Sequence, residues 1–363
     1  VLNGAIGSDS TDSALSWLPF FHDMGLVGFL LAPAYVGASV TILRTEAFLR
    51  NPRSWPRALT RFGATVTGGP PSAFGLVARF VREAERGELD LSSVRLALVA
   101  AETIEPPVLR AFAERFEPSG LRTETLTPGY GMAENALCVT LAPAGSRFGV
   151  DVIDPEMLQR EGRARPANGA ARREVTSVGR PVAGTEVVIA DATGRHLEER
   201  HVGEILVKSG SLMRGYRGEV ESAVRDGWLW TGDLGYLAEG ELYITGRAKE
   251  LIIVGGANYF PDDLERVAGA VEGVRHGRAA AFSVADPDRS GEQVVVLVET
   301  TLKDPARRTA LAQEVRQALV AAVRPVHVVG LAPPRVIRST DTGKVHRVDA
   351  RQRYLAGELD GQD

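Results

Sequence analysis

Cysteine is almost missing from this sequence, since Cys138 is the only one. A lone thiol makes no intrachain disulfide, and with no CxxC or Cys/His spacing around it there is no ligand set for structural zinc. The expected setting is a reducing cytoplasm, with Cys138 as a small buried apolar residue. Charge of one sign is also lacking. Lys+Arg 42 against Asp+Glu 46 leaves −4, with no block of like charge and no basic stripe, so the electrostatic footprint of phosphate-backbone binding is absent and nucleic acid is excluded as an expected partner. Residues 1–10 have no basic start and no cleavage pattern, so a signal peptide is not expected. Residues 24–43 carry no formal charge, but Pro33 and Gly37 interrupt them and 38–43 turns β-rich. That pattern predicts a buried helix followed by a buried strand, with no membrane span.

What remains is an ordinary globular composition. Hydrophobic residues make 44% and charged residues 24% of 363, enough for two to three domains of about 150 residues each. The basic residues are chosen unevenly: only Lys208, Lys249, Lys303 and Lys344 are lysine, and the rest of the 42 are arginine.

The pattern in the first third alternates strands and helices. Strand 39–43 is followed by a helix over 52–61 with Asn51 as N-cap and Pro52 at its first position. Strand 64–68, a helix over 72–86, strand 94–100 and a helix over 106–116 come next. Such alternation predicts an α/β layer with a largely parallel sheet, whose ligands sit at the carboxyl ends of the strands. Periodicity is lost from 145 to 176, which reads as a surface insertion. Residues 177–245 are rich in strands and turns, at 186–190, 203–208, 228–237 and 241–246, and predict a small antiparallel sheet or partial barrel. Beyond Lys249 the pattern resets to strand LIIV, a helix from Pro261, strands 278–284 and 293–299, a helix over 306–323 and a strand at 326–330, a compact α+β unit.

Five short motifs carry the chemistry: His22-Asp23-Met24-Gly25, Tyr130-Gly131-Met132-Ala133-Glu134-Asn135, Thr231-Gly232-Asp233, Gly246-Arg247-Ala248-Lys249 and Thr342-Gly343-Lys344. Each alone is weak, because TGD is also an ordinary turn and a lone histidine is usually a core residue. In this order, together with Ser16-Trp17-Leu18-Pro19-Phe20-Phe21, Ala64-Thr65-Val66-Thr67-Gly68-Gly69-Pro70, Ala101-Glu102 and Ile244-Thr245, they resemble the adenylate-forming superfamily of acyl-CoA synthetases, fatty acyl-AMP ligases, peptide-synthetase adenylation domains and luciferases. The likeness runs from about 16 to 347 and is nearest to fatty acyl-AMP ligases.

The resemblance implies an α/β fold: an incomplete large N-terminal domain over 1–248, with an α/β layer at 1–128 and a β-rich part at 129–248, plus a small mobile α+β domain over 249–363 hinged at Lys249. It implies ATP-dependent activation of a carboxylic acid, with a fatty acid as the expected substrate, to acyl-AMP, then transfer to a phosphopantetheine thiol. In that reading Asp233 and Arg247 hold the ribose hydroxyls and Tyr130 stacks on adenine beside Gly131. Ala101 and Glu102 meet the base edge, and Glu134 binds Mg²⁺, a hard cation that takes oxygen ligands. His22 borders the acyl pocket, Gly68, Gly69 and Pro70 wall it and leave room for a chain, and Lys344 neutralises the carboxylate and α-phosphate in the catalytic step. Activation brings two anions together, which is why the site needs cations and donors where charge develops.

Two features depart from the family pattern. The Gly/Ser/Thr/Lys phosphate loop that the family places upstream of the HDMG motif is not here, and Gly7-Ser8-Asp9-Ser10-Thr11 lacks the lysine to replace it. The expectations that follow are a fragment of a longer enzyme, a missing part on another polypeptide, or a protein that binds an acyl-adenylate or a carrier without catalysis. The second departure concerns the acceptor. Segment 150–164 resembles the insertion of fatty acyl-AMP ligases, which implies an acyl carrier protein as partner, whereas Val254-Gly255-Gly256-Ala257-Asn258 resembles CoA ligases. The carrier-protein reading is the one taken, with acyl-CoA synthetase as its alternative.

Overall fold

The computed structural model describes residues 2–218, 223–254, 256–285, 292–322, 326–338 and 345–359. They form two compact units, Val1–Ile153 with Arg173–Thr245, and Asp154–Arg172 with Gly246–Asp363.

The first unit is organised by short apolar strands too buried on both faces to alternate. Strands β1 (Ser13–Ser16), β2 (Ser39–Ile42), β3 (Val66–Gly69), β4 (Leu96–Val99), β5 (Leu126–Gly131) and β6 (Cys138–Leu141) share one sheet. Next in the chain, β7 (Val150–Ile153) and β8 (Arg173–Thr176) pair antiparallel on their own, and β9 (Arg180–Pro181) closes the large sheet in the order β2-β1-β3-β4-β5-β6-β9. The first five strands run parallel, β6 runs antiparallel to β5, and β9 runs antiparallel to β6. Strands β10 (Thr185–Ala190), β11 (Gly203–Ser209), β12 (Val224–Arg225), β13 (Trp228–Ala238) and β14 (Glu241–Arg247) make a second, antiparallel sheet.

An aromatic chain fills the core behind the parallel strands. Trp17 stacks on Phe48 at 3.8 Å, and Trp55, Phe74, Phe112 and Phe116 follow edge-to-face or tilted at 4.8–5.9 Å. Each such side chain contributes roughly 1.5–3 kcal/mol by leaving water, and the indole N–H of Trp55 is satisfied by Thr67 Oγ1 at 2.9 Å.

In the second unit β15 (Ile252–Val254) and β16 (Ala257–Tyr259) form a hairpin, and β17 (Val274–Ala285), β18 (Glu292–Thr300) and β19 (Val328–Ala332) form a sheet. Helices Pro261–Gly269 and Pro305–Ala322 cover the face of Ala279, Ala281, Val294 and Val296, while helix Arg347–Leu355 lies with the face of Ala280, Phe282, Val295 and Leu297. Burial on both faces explains the unbroken apolar run of β18.

Several expectations are corrected. Residues 24–43 are not fully buried: a π-helical stretch Met24–Leu31 leaves Leu31 exposed, and β2 is an edge strand with Ile42 half exposed. Asn51 is no N-cap; it ends helix Thr45–Arg50, and the next helix starts at Ser54. The helix expected over 72–86 divides into Pro71–Phe80 and Glu83–Arg86. The aperiodic stretch 145–176 holds β7, β8 and helix Pro155–Glu161, which Asp154 caps by accepting from Glu156 and Met157 N–H. Cys138 is half-buried on β6, and burial pushes its thiol up to about 12.

Candidate active site

The parallel strands of the first unit end on one edge, and the candidate residues follow them. His22 comes after β1, Gly69 ends β3 just before Pro70, Ala101 and Glu102 follow β4, and Tyr130 and Gly131 end β5. In an open parallel sheet this carboxyl edge forms the ligand crevice.

Tyr130 is 9% exposed and Asp233 8%, and the Tyr130 hydroxyl donates to Asp233 Oδ2 at 2.6 Å. The two residues stand 103 positions apart. Asp233 lies inside the eleven-residue β13, in the strand expected over 228–237, and not in the ordinary turn that a Thr-Gly-Asp motif also forms. Gly232 has φ +73° there, and the β11–β13 register shifts between Glu204 and Leu206. A bulge of this kind re-aims the next side chain. Thr231 Oγ1 fixes it by donating to Ile205 O at 2.8 Å and accepting from Asp233 N–H at 3.1 Å.

Gly131 is demanded by a close approach. A Cβ there would stand 1.9 Å from Leu137 O, the carbonyl that accepts from Met132 N–H at 2.7 Å. Gly68 has a packing reason as well, because its Cβ would meet Leu98 O and Phe29 Cζ at 2.8 Å each. The missing side chain of Gly68 therefore lets β3 pack on β4 and Phe29. It leaves no open room at that point, which corrects the reason the sequence offered.

Ala101 adopts φ +77°, a conformation that non-glycine residues rarely take and that often marks functional turns. Beside it, the Glu102 carboxylate accepts from Ser72 Oγ at 3.0 Å and Ser72 N–H at 3.1 Å. That contact sets a negative charge at the start of helix Pro71–Phe80, where the helix dipole favours it.

His22 Nδ1 lies 2.8 Å from Asp23 Oδ1, and this partner raises the imidazole above its ordinary pKa against the opposing effect of burial. Burial disfavours the Asp23 carboxylate, yet the His22 contact and the Met24 N–H hold it below the usual range. His22 Nδ1 also lies within reach of the Met24 N–H at 3.2 Å, so the ring is held between Asp23 and the start of the following helix.

Glu134 sits on the single turn Ala133–Asn135 between β5 and β6. The hydroxyl of Tyr216, a residue the sequence reading missed, donates to Glu134 Oε1. Its only sequence signal is an aromatic after glycine 82 positions away, with no periodicity to tie it to Glu134. Among the described residues no group of three or more His, Cys, Asp or Glu could hold a metal ion. A single carboxylate still suits Mg²⁺, which keeps waters and takes phosphate oxygens from a nucleotide.

The Gly7–Thr11 cluster is engaged in a turn: Asp9 accepts from Thr11 N–H at 2.8 Å, and Ser8 Oγ donates to Asp12 at 2.9 Å. Arg247 ends β14 and belongs with Lys249 to the second unit, where Lys249 lies on the short turn Ala248–Glu250. Lys344 lies outside the described residues. Among the described residues no helix is long and apolar enough to cross a membrane.

A family model described as AMP-binding enzyme matches residues 2–217. The chain is 33% identical to a long-chain-fatty-acid–AMP ligase of Mycolicibacterium smegmatis over 98% of its own length and 64% of the relative's. It is 33% identical to a 4-hydroxyphenylalkanoate adenylyltransferase of Mycobacterium tuberculosis, covering 96% of this chain and 59% of that one. A solved structure from work on fatty acyl-adenylate ligases of E. coli and L. pneumophila superposes with a TM-score of 0.92 at 36% identity, over 98% of this chain and 64% of the other. The chain therefore spans less than two thirds of the length of these relatives.

Proposed function

Because the chain belongs to the AMP-binding enzyme family, within the adenylate-forming superfamily, we propose that it activates a carboxylic acid, specifically a fatty acid, as acyl-AMP and passes the acyl group to the phosphopantetheine thiol of an acyl carrier protein. A carboxylate oxygen attacks the α-phosphorus of ATP and pyrophosphate leaves. The thiolate then attacks the acyl carbon and AMP leaves. The observation that carries this reading is the Tyr130–Asp233 hydrogen bond, which fixes an aromatic ring and a carboxylate together where β5 ends.

Asp233 accepts from the ribose hydroxyls and Tyr130 offers its ring to the adenine. Ala101 presents backbone groups to the base edge, with Glu102 held in place by Ser72. His22, held by Asp23, borders the acyl pocket near the incoming carboxylate, and Gly68, Gly69 and Pro70 form part of its wall. Glu134 is the residue that would hold Mg²⁺, which supplies charge neutralisation at the phosphates. Arg247 reaches the ribose, Lys249 is the hinge and Lys344 neutralises the reacting anions; these three roles rest on the motif resemblance. Arginine fills nearly every basic position, yet these two are lysine, and a compact ammonium is not interchangeable with a guanidinium fork.

The test is acid-dependent exchange of labelled pyrophosphate into ATP, with mass-spectrometric detection of acyl-AMP over a series of fatty and aryl acids. Transfer is then read with a holo-carrier protein and with CoA. Exchange with fatty acids and transfer to the carrier are expected, while preferred transfer to CoA would make the protein an acyl-CoA synthetase. Tight acyl-AMP binding with no exchange from the polypeptide as encoded would reduce it to a binding module.

A further inference from the structure

We propose that Tyr216 is a positioning residue that fixes the Glu134 carboxylate for a divalent cation bound with ATP. The inference rests on the metal-binding reading of Glu134. A glutamate on a one-turn segment has three side-chain torsions to order, and here that order comes from a distant loop.

The end of β11 and the loop after it are stitched to the Glu134 segment at several points. Met213 N–H donates to Glu134 O at 2.8 Å, Ser209 Oγ donates to Asn135 Oδ1, and Ser211 Oγ donates to the same oxygen at 3.3 Å. Asn135 in turn donates through Nδ2 to Cys138 O at 2.9 Å, which ties the segment to β6. Gly215 takes φ +141°, so a non-glycine residue would be strained where the chain turns into Tyr216. Backbone and carboxylate of Glu134 are thus held from one loop.

Tyr216 is 46% exposed, so its ring is not a core filler. Its hydroxyl occupies Oε1 of Glu134 and thereby orients Oε2, the oxygen available to a cation that needs one carboxylate ligand. This is the arrangement by which an outer partner orients a metal ligand and tunes its affinity.

The experiment measures Mn²⁺ binding in the presence of ATP by electron paramagnetic resonance, for wild type, Tyr216→Phe, Glu134→Gln and the double variant. Tyr216→Phe should weaken Mn²⁺ binding about tenfold, the scale set by a hydrogen bond to a charged group, with an unchanged melting temperature. Adding it to Glu134→Gln should cause no further loss, because the bond acts only through the carboxylate. The Mg²⁺ concentration for half-maximal exchange should rise in parallel, with KM for the acid unchanged. Unchanged Mn²⁺ binding in Tyr216→Phe, or additive losses in the double variant, would overturn the inference. If Glu134→Gln itself leaves Mn²⁺ binding intact, the metal reading of Glu134 falls, and the role of Tyr216 falls with it.

Discussion

The Tyr130 hydroxyl reaches Asp233 Oδ2 at 2.6 Å, joining the end of a parallel strand to a bulge in an antiparallel one. Asp233 is buried, and Tyr130→Phe removes one of its hydrogen-bond donors. Tyr130→Phe should therefore lower stability by about 1.5–3 kcal/mol, the range for hydrogen bonds to charged groups. Asp233→Asn, which keeps an acceptor, should lose less than half of that. Urea unfolding checks both, and a Tyr130→Phe loss below about 0.5 kcal/mol would mean the bond adds nothing.

Gly131→Ala places a methyl 1.9 Å from a backbone carbonyl that has no side-chain freedom to yield. The β5–β6 connection must open, and the Met132–Leu137 hydrogen bond goes with it. A loss of about 2–4 kcal/mol is expected by urea titration, whereas Gly63→Ala, where a Cβ would meet nothing within 4 Å, should cost only the backbone strain of its positive φ.

Asp12 gives the first unit an acid-sensitive joint. The Arg95 guanidinium, at 2.5 and 2.8 Å, holds the Asp12 carboxyl well below the usual range against the effect of burial, with help from Thr65 and Ser8. A depressed folded pKa stabilises the protein above the unfolded value of about 3.9, and that stability is lost as pH falls below it. Asp12→Asn should cost about 2 kcal/mol at pH 7 and should flatten the stability profile below pH 4. An unchanged acid limb in this variant would remove Asp12 as its source.

In the second unit, Arg347 is 7% exposed and binds Glu250, Asp262 and both oxygens of Glu265, the latter at 2.7 and 2.8 Å. Burial pushes Glu265 up to about 7 even against this partner, so its charge depends closely on Arg347. Arg347→Met leaves three carboxylates facing one another and should cost about 3–5 kcal/mol. Thermal unfolding at pH 7 and pH 5 checks it, and the deficit should shrink at pH 5, where Glu265 is protonated at little cost.

Much of the architecture was legible because its strands are unbroken apolar runs: the patterns at 94–100, 203–208 and 293–299 are β4, β11 and β18. Helix Pro106–Phe116 fell where its two prolines and apolar spacing put it. What local pattern could not give was pairing across the chain. The bulge that aims Asp233 depends on Glu204 and Ile205 in a neighbouring strand, and Tyr216 meets Glu134 only through folding of a distant loop. Gly68 misled because a glycine that admits a neighbouring strand and one that admits a ligand look alike in sequence. Helix Arg347–Leu355 was missed because most of its side chains are polar and only Arg347 and Ala350 are buried.

The central claim is that Tyr130 and Asp233 form a nucleotide pocket, and the most direct measurement is the melting temperature of wild type and Asp233→Ala across an AMP titration. Mass action predicts that wild type gains about 2.7 kcal/mol at a hundredfold excess over Kd, with the gain abolished in Asp233→Ala. A wild-type melting temperature unmoved by saturating AMP and ATP, and equal in its response to that of Asp233→Ala, would contradict the account.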